Sequence, residues 1–381
     1  MDIRRGRLCA DFISCLMVLA AVLSLSACAA RPGPEVLRIT EAHVPGAQTV
    51  TVYAATTRAR AAGNVNVFTS GRASQPNYAS FDISVPPNHQ PGRIEWPEEQ
   101  IDPQTSFATV GQTNLTQQGL LQQVAGSGDG RKDVVIFIHG YNYSFPEALY
   151  RLTQIKVDGN LDETPILFAW PSQAAVAGYV ADKESATYSR DALTDLLAAL
   201  ARDSRIGTIT VFAHSMGGWL TVEALRQLRL SGQDDVFNRL TVVLAAPDID
   251  VDVFQAQMQV IGPMTPPMTV LVSSDDQALH VSNRLSRSRA RIGALDITDP
   301  AVQQAARKAQ LAIIDISSVE ASDGLNHDRY IKLATLYANR RDEGGDTPGP
   351  GLRSTGAFVF NTVGATISSP FSIIGEALEG G

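Results

Sequence analysis

Ser215 lies in the stretch TITVFAHSMGGW, where a β-branched apolar run stops at a serine between small residues and a helix-forming stretch, WLTVEALRQL, starts at once. So short a junction holds the serine on a tight strand-to-helix corner, and such strain persists mainly where the side chain has chemistry to do. Ala213 and Gly217, two positions to either side, are small. A backbone pressed against its neighbours requires that. A small-x-Ser-x-Gly string is common by chance; its place after a buried strand and before a helix gives it weight. A serine hydroxyl is a poor nucleophile at neutral pH, so it needs a base in hydrogen-bond reach and a carboxylate to orient that base.

Six histidines are candidates for the base. His43 and His89 lie in the N-terminal segments. His139 stands before Gly140 at a strand-to-loop corner and reads as a structural hydrogen-bonder, while His214 adjoins the serine and so leaves the corner in another direction. His280 falls in a helical stretch and reads as surface or packing. His327, in the loop GLNHDRY after the last predicted strand, remains. The acid should come from a strand end between the two in chain order, which leaves Asp248 after LAAP and Asp275 and Asp276 after VLVSS. Asp276 is preferred, since two strands beyond the nucleophile is the commoner location. Only one of the adjacent pair can face the imidazole; the other should be solvated or cap the helix starting near Ala278. A tetrahedral intermediate also needs oxyanion donors. The backbone N–H groups of Met216 and Tyr141 are the candidates.

The elements that must position these residues follow from the pattern. TVTVYAATT and SFDISVPPN read as N-terminal strands, followed by a Pro- and Gln-rich connection to about residue 131. Short apolar strands then alternate with amphipathic helices: KDVVIFIHG, TPILFAWPS, TITVFAHSMGG, LTVVLAAPD, MTVLVSSDD and LAIIDISSV are the strands. That pattern predicts a mostly parallel α/β sheet with helices on both faces. Sites in such sheets form beyond the carboxyl ends of the strands, where His139, Trp170, Ser215, Asp248, Asp276 and the segment before His327 fall. Tyr143, Phe145, Trp170 and Trp219 read as core or pocket wall, and Tyr188 and Arg190 as a solvated helix face.

The 381 residues are 44% hydrophobic, enough for a large core. Residues 1–27 carry Arg4, Arg5 and Arg7 and then the apolar run FISCLMVLAAVLSL, the layout of a secretory signal. Leu25-Ser26-Ala27-Cys28 resembles the lipobox of bacterial lipoproteins, in which the cysteine becomes the acylated first residue. Ala29 in place of Asp implies, on the same resemblance, an outer-membrane destination. The only other cysteines, Cys9 and Cys15, lie inside the signal, so no thiol is left for disulfides, metal or catalysis. No cofactor or metal is expected. Residues 1–27 hold three Arg and two Asp, so a chain starting at Cys28 carries a formal charge of −9 against −8 for the whole. No basic patch suggests nucleic acid. The expected organisation is a signal at 1–27, a flexible leader at 28–48, strands and connection at 49–130, a catalytic core at 131–341 and a tail at 342–381. Residues 355–375 carry no charge, yet Gly, Asn, Ser, Thr and Pro interrupt them, and they read as a peripheral segment packed on the domain.

The motifs YAATTR at Tyr53–Arg58, HGYN at His139–Asn142, FAWPS at Phe168–Ser172, AHSMG at Ala213–Gly217, AAPD at Ala245–Asp248 and SSDDQAL at Ser273–Leu279 stand in one order. On these the chain resembles a bacterial α/β-hydrolase family of uncharacterised function, over about residues 50–335. The resemblance implies an α/β-hydrolase fold and serine-hydrolase chemistry, with the acid at Asp276 and the histidine at His327. It names no substrate. Three functions are compatible: a membrane-tethered serine hydrolase of a small-molecule or lipid carboxylic ester (or thioester or amide), an acyltransferase on the same triad, and a non-catalytic envelope scaffold.

Overall fold

A computed structural model describes residues 31–333 except 43, 62–65, 127–129, 287 and 288. The signal, Cys28, His43 and the tail lie outside the described residues. Among the described residues nine strands form one sheet in the order β3-β2-β1-β5-β4-β6-β7-β8-β9. They are β1 (Gln48–Arg60), β2 (Phe68–Val85), β3 (Ala108–Leu115), β4 (Lys132–Ile138), β5 (Thr164–Ala169), β6 (Ile206–His214), β7 (Leu240–Ala245), β8 (Thr269–Val272) and β9 (Ala312–Asp315). β2 runs antiparallel to β1 and β3. All other pairings are parallel. The helices are α1 (Gln117–Ala125), α2 (Phe145–Asp158), α3 (Tyr179–Tyr188), α4 (Arg190–Arg202), α5 (Met216–Leu230), α6 (Val251–Ile261), α7 (Gln277–Ser286) and α8 (Pro300–Ala309), with shorter turns between. The fold is that of an α/β hydrolase.

Alternation within the strands divides the core into two layers. Val134, Ile136 and Ile138 of β4, Val211 and Ala213 of β6 and Val242 and Leu244 of β7 face α1, α4, α5, α6 and α8. Phe137, Val243 and Ala245 face the other way, onto α2 and the segment 316–333. Both faces are covered, so the strands read as continuous apolar runs. The order reverses at β4, which has β5 on one side and β6 on the other. A crevice beyond the carboxyl ends of β4 and β6 is where such sheets bind ligands. The loop after β4 carries Gly140 and Tyr141, and the turn after β6 carries Ser215.

Three expectations need correction. The 28–48 leader is not simply flexible: a 3-10 turn at Pro34–Leu37 buries Val36 and Leu37 on the α2 face, and Tyr150 Oη donates to Val36 O at 2.9 Å. The connection before residue 131 contains β3 and α1. The helix face expected to hold Tyr188 and Arg190 is divided between two helices, α3 and α4, broken at Ser189. Ser189 Oγ donates to Ser185 O at 2.8 Å and contacts Thr57 Oγ1 at 2.7 Å, tying the break to β1. Among the described residues, no helix is long and apolar enough to cross a membrane.

Candidate active site

Ser215 has φ 53° and ψ −120°, a conformation that L side chains rarely adopt. It occupies the cap position of α5, yet its side chain makes no capping bond. The usual structural reason for a serine at a helix start is therefore missing here. The corner is pinned by backbone bonds: Ser215 N–H donates to Ala245 O at 2.9 Å, and Asp248 N–H donates to Ser215 O at 3.1 Å.

The small residues around it have steric causes. A Cβ on Gly217 would stand 2.5 Å from both Ile138 O and His139 O. One on Gly140 would stand 2.8 Å from His214 Nδ1 and 3.0 Å from Ser215 Cβ. The loop after β4 thus crosses the elbow in direct contact at Gly140, the residue before Tyr141. Among the described residues no acceptor meets the backbone N–H of Tyr141 or Met216, as an oxyanion site requires. Gly217→Ala should overpack the elbow at a cost of about 1–3 kcal/mol and lower the melting temperature by several degrees. Thermal unfolding measures this; an unshifted melting curve would mean that α5 can slide away from β4.

His327 and Asp276 come together. His327 Nδ1–H donates to Asp276 Oδ2 at 2.6 Å, which leaves Nε2 with its lone pair. Asp276 is fully enclosed, while the His327 side chain keeps 14% of its surface open. Burial would lower the His327 pKa, but the bond to Asp276 and the charges of Asp276, Asp248 and Asp323 outweigh it and raise the value. His214 lies against this base, its ring centroid 4.6 Å from that of His327. Its Nε2–H donates to His327 O at 3.3 Å, and burial holds its pKa well below the ordinary value. The histidine next to the nucleophile therefore stays neutral and supports the His327 loop. His139 is a core residue: its Nδ1–H donates to Gly140 O at 2.8 Å, its ring stacks on Trp170, and burial pushes its pKa down to about 3.

The two neighbouring aspartates divide their roles otherwise than expected. Asp276 both meets the imidazole and accepts from Leu279 N–H at 2.9 Å, so it also caps α7. Asp275 braces the histidine loop: Arg329 Nη2 and Asn326 Nδ2 donate to its Oδ2 at 2.6 and 2.9 Å, and Ser273 Oγ donates to Oδ1. Asp248 points into a separate buried cluster, accepting from Tyr179 Oη at 2.8 Å and Ser282 Oγ at 2.7 Å and pairing with Arg291 at 3.1 Å.

A polar network missed in the sequence holds the Tyr141 loop. Asp182, fully buried on α3, accepts from Asn142 N–H at 3.2 Å, Gln173 N–H at 2.6 Å and Ser172 Oγ at 2.5 Å. Arg58 of β1 donates to Tyr143 O at 2.8 Å and Ser172 O at 3.2 Å. Burial lowers its pKa to about 10, so it stays charged. Arg58 and Ser172 end the YAATTR and FAWPS motifs, which carried the signal; Asp182 had none. Asp182→Ala should strand three donors and displace the Tyr141 N–H. One lost oxyanion donor costs about 10²–10³ in turnover, so a fall of about tenfold or more is expected, with binding of a short ester less affected. Steady-state kinetics separate the two.

Esterases and a related hydrolase are among the solved structures similar to this chain. An esterase from Thermogutta terrifontis is 13% identical, with 83% of this chain and 99% of that one covered and a TM-score of 0.34. A Rhizomucor miehei esterase structure is 11% identical over 77% and 84% of the two chains, TM-score 0.31. The peroxisomal alpha-beta-hydrolase Lpx1 of Saccharomyces cerevisiae is 9% identical over 88% and 96%, TM-score 0.30. No curated protein sequence matches the chain. A family model described as alpha/beta hydrolase of unknown function (DUF900) matches residues 116–341. That span takes in β4 to β9, the serine corner and the Asp276–His327 pair, and with it the chain belongs to this α/β-hydrolase family.

Proposed function

We propose that the protein is a serine hydrolase that cleaves carboxylic esters through an acyl-enzyme and is tethered to the bacterial envelope through Cys28. The observations that carry this reading are Ser215 at φ 53° with a side chain that makes no capping bond, and His327, whose Nδ1–H is held by a buried carboxylate and whose ring lies 4.6 Å from that of His214, the residue before the serine. Ser215 Oγ attacks the ester carbonyl carbon while His327 Nε2 takes its proton, and the N–H groups of Tyr141 and Met216 receive the oxyanion. The tetrahedral intermediate expels the alcohol, which leaves with that proton. Water then attacks the acyl-serine, passing a proton through His327 to Ser215, and the carboxylic acid departs. The Cys28 tether rests on the lipobox and on the arginine-flanked apolar run before it.

Fluorophosphonate labelling of purified protein tests the nucleophile, and chromogenic esters of increasing acyl length test the reaction. Stoichiometric labelling at Ser215 with ester turnover is expected. Absence of both would leave the fold as a scaffold.

A further inference from the structure

The described chain begins at Arg31, and Arg31 is bonded to the loop after β4 that carries the candidate oxyanion donor Tyr141. Its guanidinium donates to Asn142 Oδ1 at 2.7 Å, to Ala174 O at 2.8 Å and also to Asn142 O, and pairs with Glu147 at 2.8 Å. Asn142 follows Tyr141, the candidate oxyanion donor. Cys28 is three residues upstream, so covalent geometry keeps its Cα within about 11 Å of that of Arg31. The 3-10 turn at Pro34–Leu37 anchors the leader on its other side. An acyl group on Cys28 would thus be tethered within that reach of the loop that carries Tyr141.

The surface beside Arg31 suits a bilayer. Residues 173–181, QAAVAGYVA, carry no charge, and Gln173, Ala175, Val176, Ala177, Val180 and Ala181 are exposed. Val176 and Val180 keep 81% and 74% of their surface open. Asp182, the next charged residue, is turned inward and fully buried, and Lys183 lies over the Trp219 ring at 5.2 Å. This segment borders the site directly: Tyr141 Oη donates to Val176 O, and Tyr179 packs on the Tyr141 ring. Two further exposed apolar residues stand on the neighbouring walls, Val281 on α7 and Leu325 two positions before His327, each 49% open. Exposed apolar surface of this kind, beside an anchor point, marks a membrane-facing side.

We infer that the acylated N-terminus holds the active-site mouth against the membrane, with residues 173–181 seated in the headgroup and acyl boundary, so that the substrates are long-chain lipid esters resident in that bilayer. The inference rests on the serine-hydrolase and lipoprotein readings above and adds orientation and substrate class to them.

The test uses the full acylated chain in vesicles of phosphatidylethanolamine and phosphatidylglycerol. The acylated chain has no cysteine besides Cys28, so Val180→Cys and Leu230→Cys each create one site for a fluorophore. Leu230 is exposed at the far end of α5, about 20 Å along the helix from Ser215. Nitroxide-bearing lipids should quench the label at position 180 by about threefold and leave that at 230 nearly unchanged, since an interfacial segment enters the bilayer by about 5–10 Å. The double variant Val176→Asp/Val180→Asp should hydrolyse a short soluble chromogenic ester within about twofold of wild type. On a fluorogenic long-chain ester in the vesicles it should be slower by about tenfold, because the charges resist entry into the boundary. Equal quenching at both sites, no quenching at 180, or undiminished turnover of the vesicle ester would overturn the orientation. Failure of the underlying readings looks different and also overturns the inference: wild type then fails to float with the vesicles, or fails to react with fluorophosphonate.

Discussion

Ser215→Ala should abolish ester turnover, lowering it by about 10⁶, while the melting curve stays close to that of the wild type. The hydroxyl makes no hydrogen bond in capping α5, so its loss takes no cap from the helix. Alanine keeps the Cβ and hence the strain at φ 53°. Ser215→Gly separates the two contributions. Glycine adopts positive φ freely, so this variant should be as inactive as Ser215→Ala yet more stable, by about 1–3 kcal/mol if the strain is of the usual size. Differential scanning calorimetry of the two variants beside a fluorophosphonate gel tests both statements. Retained labelling in Ser215→Ala would assign the nucleophile elsewhere, and a marked loss of stability there would make the serine structural.

What was legible in the sequence follows from which forces act locally. Strands such as VVIFI and LTVVLA are buried on both faces, and their apolar runs announce it. The elbow was readable because its steric demands fall on Ala213 and Gly217, two residues from Ser215; the 2.5 Å approach of a Gly217 Cβ to Ile138 O is the physical form of that demand. β3, ATVGQTNL, was hidden because it is an edge strand paired to β2 and met on its other side by a single bridge from Ile39 to Thr109, with residues such as Gln112 and Asn114 that give no apolar alternation. The leader turn buries two apolar side chains, Val36 and Leu37, too few for a pattern. Arg58, Ser172 and Asp182 meet across more than a hundred residues of chain, and nothing local to Asp182 reveals that two backbone N–H groups converge on it. Asp275 and Asp276 lie in the turn after β8, where the pleat no longer alternates; Asp276 meets His327 Nδ1 and Asp275 does not. Strand alternation could not foresee that Arg329, 54 residues on, would draw Asp275 into bracing the histidine loop.

Asp276→Asn should lower turnover by about 10⁴ with the fold intact, and it should do so with a change in pH dependence that a merely structural residue would not give. The side-chain amide can still accept from Leu279 N–H, so the cap on α7 survives the substitution. It cannot offer a negative charge to His327 Nδ1–H, and with its own NH₂ turned to the ring it would favour the wrong tautomer. As base, His327 must be neutral, so activity rises with pH through its pKa. In the wild type that rise should lie above the ordinary imidazole value near 6.5, because the Asp276 bond and the neighbouring carboxylates raise the pKa in spite of burial. In Asp276→Asn, loss of the bond and the charge should move the residual rise to lower pH. The stability effect has a fixed sign. The raised pKa means that the folded state holds the His327 proton more tightly than the unfolded chain, so the pair stabilises the fold fully below the unfolded pKa. That contribution disappears as pH climbs through the folded value. Kinetic profiles of kcat/KM between about pH 5 and 9, with urea unfolding at both ends, check these directions. Wild-type turnover in Asp276→Asn would remove it from the triad. An unchanged pH profile in a slow Asp276→Asn enzyme would show that the carboxylate caps α7 without acting on the base, and a selective collapse in Asp248→Asn would then move the acid to the end of β7.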